Sequence, residues 1–206
     1  NVAQQWNGAF TFTGTDDLNV GTGSVTLSGD VSVTTVTLGK TLTVGGVMDD
    51  GAGTFALTKS GTGTLVLAGS NTYGGNTVLN EGALVFTSAQ NLSAVTNGLT
   101  LGAAAGSTSS LAMQLDASAT FGGAFVAQTS NSVANTITIG AGQTLRINGS
   151  FTVGYNSAAN TTTKLTVTGA DGTLTIGAAG APTNANFQLG NGATSSISNA
   201  GTLDMS

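Results

Sequence analysis

The chain contains no cysteine and no histidine, a single proline (Pro182), and only four basic residues, Lys40, Lys59, Arg146 and Lys164, among 206 positions. Without cysteine there are no disulfides and no thiolate metal sites. Without histidine there is no Ser-His-Asp triad, no imidazole metal site and little proton shuttling near neutral pH. Four scattered cations cannot build the basic patch that displaces counterions from phosphates, so no nucleic-acid partner is expected. An anionic membrane surface is disfavoured for the same reason. No apolar run approaches the ~18 residues of a spanning helix, so no membrane span is expected in this chain. The chain opens on Asn1 without an initiator Met or a signal peptide, which reads as a processed chain or a piece of a longer polypeptide.

Charge is scarce altogether: 6% of residues are charged, against roughly 25% in an average domain. The balance is acidic, with a net charge of −5. What fills the chain instead is glycine, 32 residues, with Thr, Ser, Asn and Ala. Low charge with abundant glycine can signal disorder, but disordered chains combine low hydrophobicity with charge or proline. Here the mean hydropathy is +0.24, and the commonest polar residue type is Thr, a β-branched strand former. The sequence reads as ordered, all-β and dense in turns.

Short apolar-polar alternations recur along almost the whole length. Val25-Thr26-Leu27, Val36-Thr37-Leu38, Leu42-Thr43-Val44, Leu65-Val66-Leu67, Ile137-Thr138-Ile139, Leu145-Arg146-Ile147 and Leu174-Thr175-Ile176 are examples. Each sends two bulky side chains to one face and, in most cases, a polar one to the other. Most end within a residue or two of a glycine, which permits the positive φ of a sharp corner. Helix signals are nearly absent, and the best helix-like stretch, Ser110 to Ala119, lacks a cap and a charged face. The strands are very short and their outward positions carry Thr and Ser rather than charge. Stacking like on like in parallel tolerates uncharged ladders and penalises charged ones. The expected fold is therefore an all-β, right-handed parallel β-helix (β-solenoid), one continuous array over residues 1–206. A coil of ~20–25 residues gives about 8–10 coils stacked at ~4.8 Å, a rod roughly 40–50 Å long.

The segment 57–86, LTKSGTGTLVLAGSNTYGGNTVLNEGALVF, closely resembles the autotransporter-associated β-strand repeat. The residues that carry the resemblance are Leu57-Thr58-Lys59, Gly61 to Leu65, Asn71-Thr72-Tyr73, Thr77-Val78 and Gly82 to Leu84. Trp6 to Val47 looks like the flank that precedes such a repeat, and beyond about Gly98 only the general composition persists. Gly74-Gly75-Asn76 departs from a commoner pattern with Thr after the Tyr. The resemblance implies kinship with the passenger regions of bacterial autotransporter adhesins and of very large surface proteins, which form right-handed β-helices, and hence an extracellular or cell-surface location. No translocator barrel is visible. On the alternation, Leu65, Leu67, Val78, Leu84 and Phe86 point inward, Asn71 to Gly75 make a corner, and Tyr73 lies against the coil surface.

Candidate chemistry rests on few groups. The carboxylate pairs Asp16-Asp17 and Asp49-Asp50 suit turns better than a glycosidase, whose two carboxyls must face one another across ~5–9 Å. Calcium at Asp49, Asp50 or the turn 169–172 would need about 6–8 oxygens, more than these positions offer. The pairs Thr35/Thr37, Thr41/Thr43, Thr136/Thr138 and Thr173/Thr175 raise the alternative of an ice-binding hydroxyl-methyl array. Sequons stand at Asn91, Asn148 and Asn160. No catalytic, cofactor-binding or metal-ligating residue is assigned, and no enzyme is expected. The expected role is an extracellular structural protein, an adhesin module or the subunit of a filament or sheath, self-associating head to tail through its ends or continuing into further repeats of a longer chain. A module binding glycans or host surfaces, with Trp6, Tyr73 and Tyr155 as its candidate aromatics, is the alternative; a polysaccharide-active enzyme ranks below both.

Overall fold

The computed structural model describes residues 1–102, 110–128, 134–156, 163–177, 187–192 and 201–204, with side chains over 1–102, 110–128, 135–153 and 165–177. All pairing between strands is parallel, and among the described residues there is no helix. The chain winds as a solenoid whose cross-section has three faces, each turn laying one short segment on each face in the same order.

The second and third faces are single sheets, each eight strands deep. The second comprises Phe10–Phe12, Val31–Thr35, Leu57–Ser60, Thr77–Leu79, Leu99–Leu101, Phe125–Ala127, Phe151–Asn156 and Phe187–Gly192. The third comprises Leu18–Asn19, Thr41–Val44, Thr64–Leu67, Gly82–Phe86, Leu111–Leu115, Ala134–Ile139, Thr163–Thr168 and Gly201–Asp204. The first face is split in two. Gln4–Trp6, Val25–Leu27 and Met48–Asp49 form one sheet, while Gln90–Leu92, Ala119–Phe121, Thr144–Ile147 and Thr173–Ile176 form another. Between them, at residues 68–76, the turn crosses this face without a strand.

Period-2 alternation becomes rows of stacked side chains. On the third face Leu18, Leu42, Leu65, Leu84, Met113, Ile137 and Val167 follow one another in register, one per turn. From Leu42 to Val167 this row is buried, and each such side chain contributes about 1.5–3 kcal/mol on leaving water. On the second face Phe125 and Phe151 stack with ring centroids 4.2 Å apart. Outward, the same face carries Ser32, Thr58, Val78, Thr100, Val126 and Thr152 in register. Small and β-branched residues follow one another with no charge in the column, so stacking meets no repulsion.

Turn length is less regular than the repeat reading implies. Thr64 pairs with Ala83, but Thr163 pairs with Gly201, so later turns exceed the 20–25 residues expected. The corners absorb the difference, because only strand offsets must match for the ladder to close. Two local expectations are corrected. Val78 points outward, because it pairs with Thr58 and Thr100 while Thr77 and Leu79 take the inward positions. Val36-Thr37-Leu38 is not a strand but a protruding corner, with Leu38 79% exposed. Leu174 lies at an inward position but is only half-buried. The stretch 110–119 supplies the strand Leu111–Leu115 and opens the next at Ala119. One inward position is costly: Asn135, between Leu111 and Leu165, is fully buried with both amide atoms unpartnered.

Candidate functional site

Most of the hydrogen-bonded polar groups of the interior cluster near the break in the first face. Residues 57–60 alternate, so Leu57 and Lys59 point inward and Thr58 outward. Lys59 therefore sits in an apolar row between Val33 and Leu79 and is 1% exposed. Its ammonium donates to the carbonyls of Ser60 (2.9 Å), Gly61 (2.6 Å) and Glu81 (3.0 Å). Those carbonyls belong to the corner after its own strand and to the same corner one turn on. The lysine pins two successive corners from inside, with all three donors used. Burial pushes its pKa down to about 8, partly offset by the Glu81 carboxylate.

Where the first face lacks a strand, the Thr72 amide still donates to the Met48 carbonyl (2.9 Å), and side chains supply the rest of the ladder. Asn71 Oδ1 accepts from the Met48 amide (2.8 Å), as a strand carbonyl would. On its other side Asn71 Nδ2 donates to Gln90 Oε1 at 2.9 Å, and the Asn71 amide donates to the same oxygen at 3.3 Å. Gln90 Nε2 donates back to the carbonyls of Gly69 and Ser88. Asn97 Nδ2 donates to the Tyr73 carbonyl (2.7 Å), and Asn76 Oδ1 accepts from the Gly98 amide (2.9 Å). Across this seam side-chain amides join one turn to the next.

Asp50 pins the preceding corner. Its Oδ2 accepts from the amides of Phe55 (3.0 Å) and Gly74 (2.8 Å), tying the excursion 50–56 to the turn that follows. The excursion lies directly on Gly75, where a Cβ would overlap the Phe55 carbonyl and the Ala56 nitrogen. This explains the glycines after Tyr73: the loop of the turn below occupies the space of a side chain. Tyr73 itself is fully buried and shares a 2.7 Å hydrogen bond with Thr77 Oγ1. The expectation that it lies on the coil surface is corrected: the ring is enclosed in the core cluster. Burial raises its phenol pKa well above the usual value.

Stability should consequently peak in alkali. The unfolded chain keeps Lys59 protonated to about 10.5 whereas the folded chain releases that proton near 8. Between those values the unfolded state binds more protons, so stability rises with pH. Above the ordinary tyrosine value of about 10 the sign reverses, because the folded state holds the Tyr73 proton and the unfolded state loses it. Denaturant midpoints from pH 7 to 11 should pass through a maximum near pH 10. Lys59→Met should abolish the rise, and Tyr73→Phe should weaken the fall.

The other candidates are dispersed. Asp17 is exposed and accepts from the Thr41 amide, and Asp49 faces outward and accepts from Gly51. Asp16 is exposed beside Thr15, and neighbouring carboxylates do not face one another as a glycosidase pair would. In the turn 169–172, residues 169–171 are exposed. Among the described residues no three His, Cys, Asp or Glu side chains stand together as metal ligands. Thr41/Thr43 and Thr136/Thr138 share the outer third face, but the three strands between them present Thr64/Val66, Ala83/Val85 and Ala112/Gln114. Thr35 is buried inward and Thr173/Thr175 lie on the first face, so the four pairs do not make one array. Asn91 is exposed, the Asn148 side-chain oxygen is buried, and Asn160 lies outside the described residues. Trp6 lines an opening of about 410 Å³ at one end of the rod with Phe10, Phe12, Leu18, Val20 and Leu42. Tyr155 lies in a second-face strand, its side chain outside the described residues.

Sequence reasoning missed Asp50, Asn71, Gln90 and Asn97 as interior groups. A usable signal existed for Gln90: Leu92 points inward, so in Gln90-Asn91-Leu92 the glutamine must as well. No curated protein and no solved structure matches the chain. Residues 57–86 match the family model Passenger-associated-transport-repeat; the matched segment supplies Lys59, Asn71, Tyr73, Asn76 and Thr77, while their partners Asp50, Gln90 and Asn97 lie outside it.

Proposed function

We propose that the chain is a structural rod of a secreted or surface-exposed protein, without catalytic activity, serving as an adhesin module or as the unit of a filament or sheath. The repeat family implies secretion or surface exposure. The observation that carries the structural reading is that the side chains of the repeat are spent on the coil itself: Lys59, Asn71 and Tyr73 bond to corners and neighbouring turns. Extension through the ends is supported by the opening beside Trp6, whose lining is mainly apolar, with Gln4 and Thr11 at its side, and which leaves Leu18 44% exposed. Another turn, from a longer polypeptide or a second copy, would bury that surface and pair the free strand edges.

Negative-stain microscopy with sedimentation across a concentration series tests the assembly. End-to-end rods whose mean length grows with concentration are the expected result; a dispersed monomer at millimolar concentration would count against self-assembly. The glycan-binding alternative loses one of its aromatics, since Tyr73 is enclosed.

A further inference from the structure

The apolar interior does little to set the alignment between the turn that carries residues 77–86 and the next. Slide the later turn by two residues, and Leu84 meets Leu111 in place of Met113, Phe86 meets Met113 in place of Leu115, and Leu79 meets Leu99 in place of Leu101. Each of these three exchanges is apolar for apolar. A two-residue slip also keeps each side chain on its own face, unlike a one-residue slip. On the outside, Val85 would meet Ala112 in place of Gln114, with no charge brought together.

The seam is not indifferent to the slip. Gln90 meets the Asn71 amide through its Oε1 and the Gly69 carbonyl through its Nε2. Two residues of strand span ~6.6 Å, so the slip carries Gln90 away from Asn71 toward the buried Tyr73 and brings Ser88 opposite Asn71, whose short hydroxyl cannot replace the Gln90 amide. Amides left in an apolar interior without partners are penalised in full. The bonds Asn97 to Tyr73 and Gly98 to Asn76 enforce the same offset from the adjacent corner.

We propose that Asn71 and Gln90 form a register key. They select one alignment among several of similar hydrophobic merit, at the turn where the first sheet of this face gives way to the second. The amides specify rather than merely stabilise, a role best attested for buried polar residues that fix register in other assemblies.

The absence of native cysteine allows a covalent readout. Val85→Cys with Gln114→Cys reports the native alignment, since these residues are direct partners on the outer third face. Val85→Cys with Ala112→Cys reports the slipped one. In the native alignment that second pair is diagonal, with Cα atoms ~7–8 Å apart and beyond easy disulfide reach. Each pair is placed in the parent and in Asn71→Leu/Gln90→Leu. The proteins are refolded from denaturant in oxidising buffer, blocked, and mapped as non-reduced peptides. The parent should close the native pair at least ~10-fold more than the slipped pair, and the double variant should bring the two within about threefold. Gln90→Met, which preserves length and bulk, should shift the ratio in the same direction. An unchanged ratio in both variants overturns the proposal. So does equal loss of both cross-links, because the amides would then hold the fold and not its alignment.

Discussion

Gly75→Ala is expected to lower the unfolding free energy by about 3 kcal/mol, at the upper end of the cost of overpacking, whereas Gly8→Ala should leave it within about 0.5 kcal/mol. The contrast is steric. A Cβ at Gly75 would overlap the backbone of Phe55 and Ala56, while one at Gly8 would meet nothing within 4 Å. The obstacle at Gly75 is main chain, held by Asp50 through the Phe55 amide, so it cannot rotate away as a side chain would. Relief requires moving the excursion 50–56, which would also break the bond from the Gly74 amide to Asp50. Chemical denaturation of the two variants beside the parent measures both values. A Gly75→Ala protein as stable as the parent would mean that the excursion does not rest on this turn.

Leu84→Asp should be more damaging still, at about 4 kcal/mol or more, while its neighbour Val85→Asp should cost about 1 kcal/mol or less. Leu84 occupies the centre of the inward row of the third face, between Leu65 and Met113, and is 1% exposed. A carboxylate there has no partner and must be desolvated or take up a proton. Val85 faces outward between Val66 and Gln114, where a carboxylate stays hydrated. Thermal melts of the pair test the inward-outward assignment directly, and equal losses would contradict it. Raising the pH from 5 to 8 should widen the gap, because a buried aspartate has a raised pKa and the unfolded chain then loses its proton first.

Much of the fold was legible because a β-solenoid repeats a local rule. Leu42-Thr43-Val44 and Leu65-Val66-Leu67 each announce a strand, an inward pair and a place in a row, and the structure stacks them directly. The scarcity of charge announced uncharged parallel ladders, and the outer second face realises one in which Thr and Val alternate rather than like lying on like. Val78 was not legible. In Thr77-Val78-Leu79 all three residues are good strand formers, and which face each takes depends on pairing with Leu57-Thr58-Lys59, a turn away. Tyr73 misled for a related reason. A tyrosine beside two glycines reads as a surface corner, but the glycines are there because the backbone of residues 53–56 covers them.

The seam lay furthest from reach. Asn71 and Gln90 are ordinary polar residues in sequence, and their meaning arises only when a turn of the solenoid brings their amides to 2.9 Å. Local chemistry determined by itself that this chain forms short parallel strands with a leucine-rich interior, because alternation and backbone geometry act within a few residues. The tertiary structure alone decided which polar groups go inside and which turn meets which, because a buried amide or ammonium is tolerated only where partners from other turns converge on it.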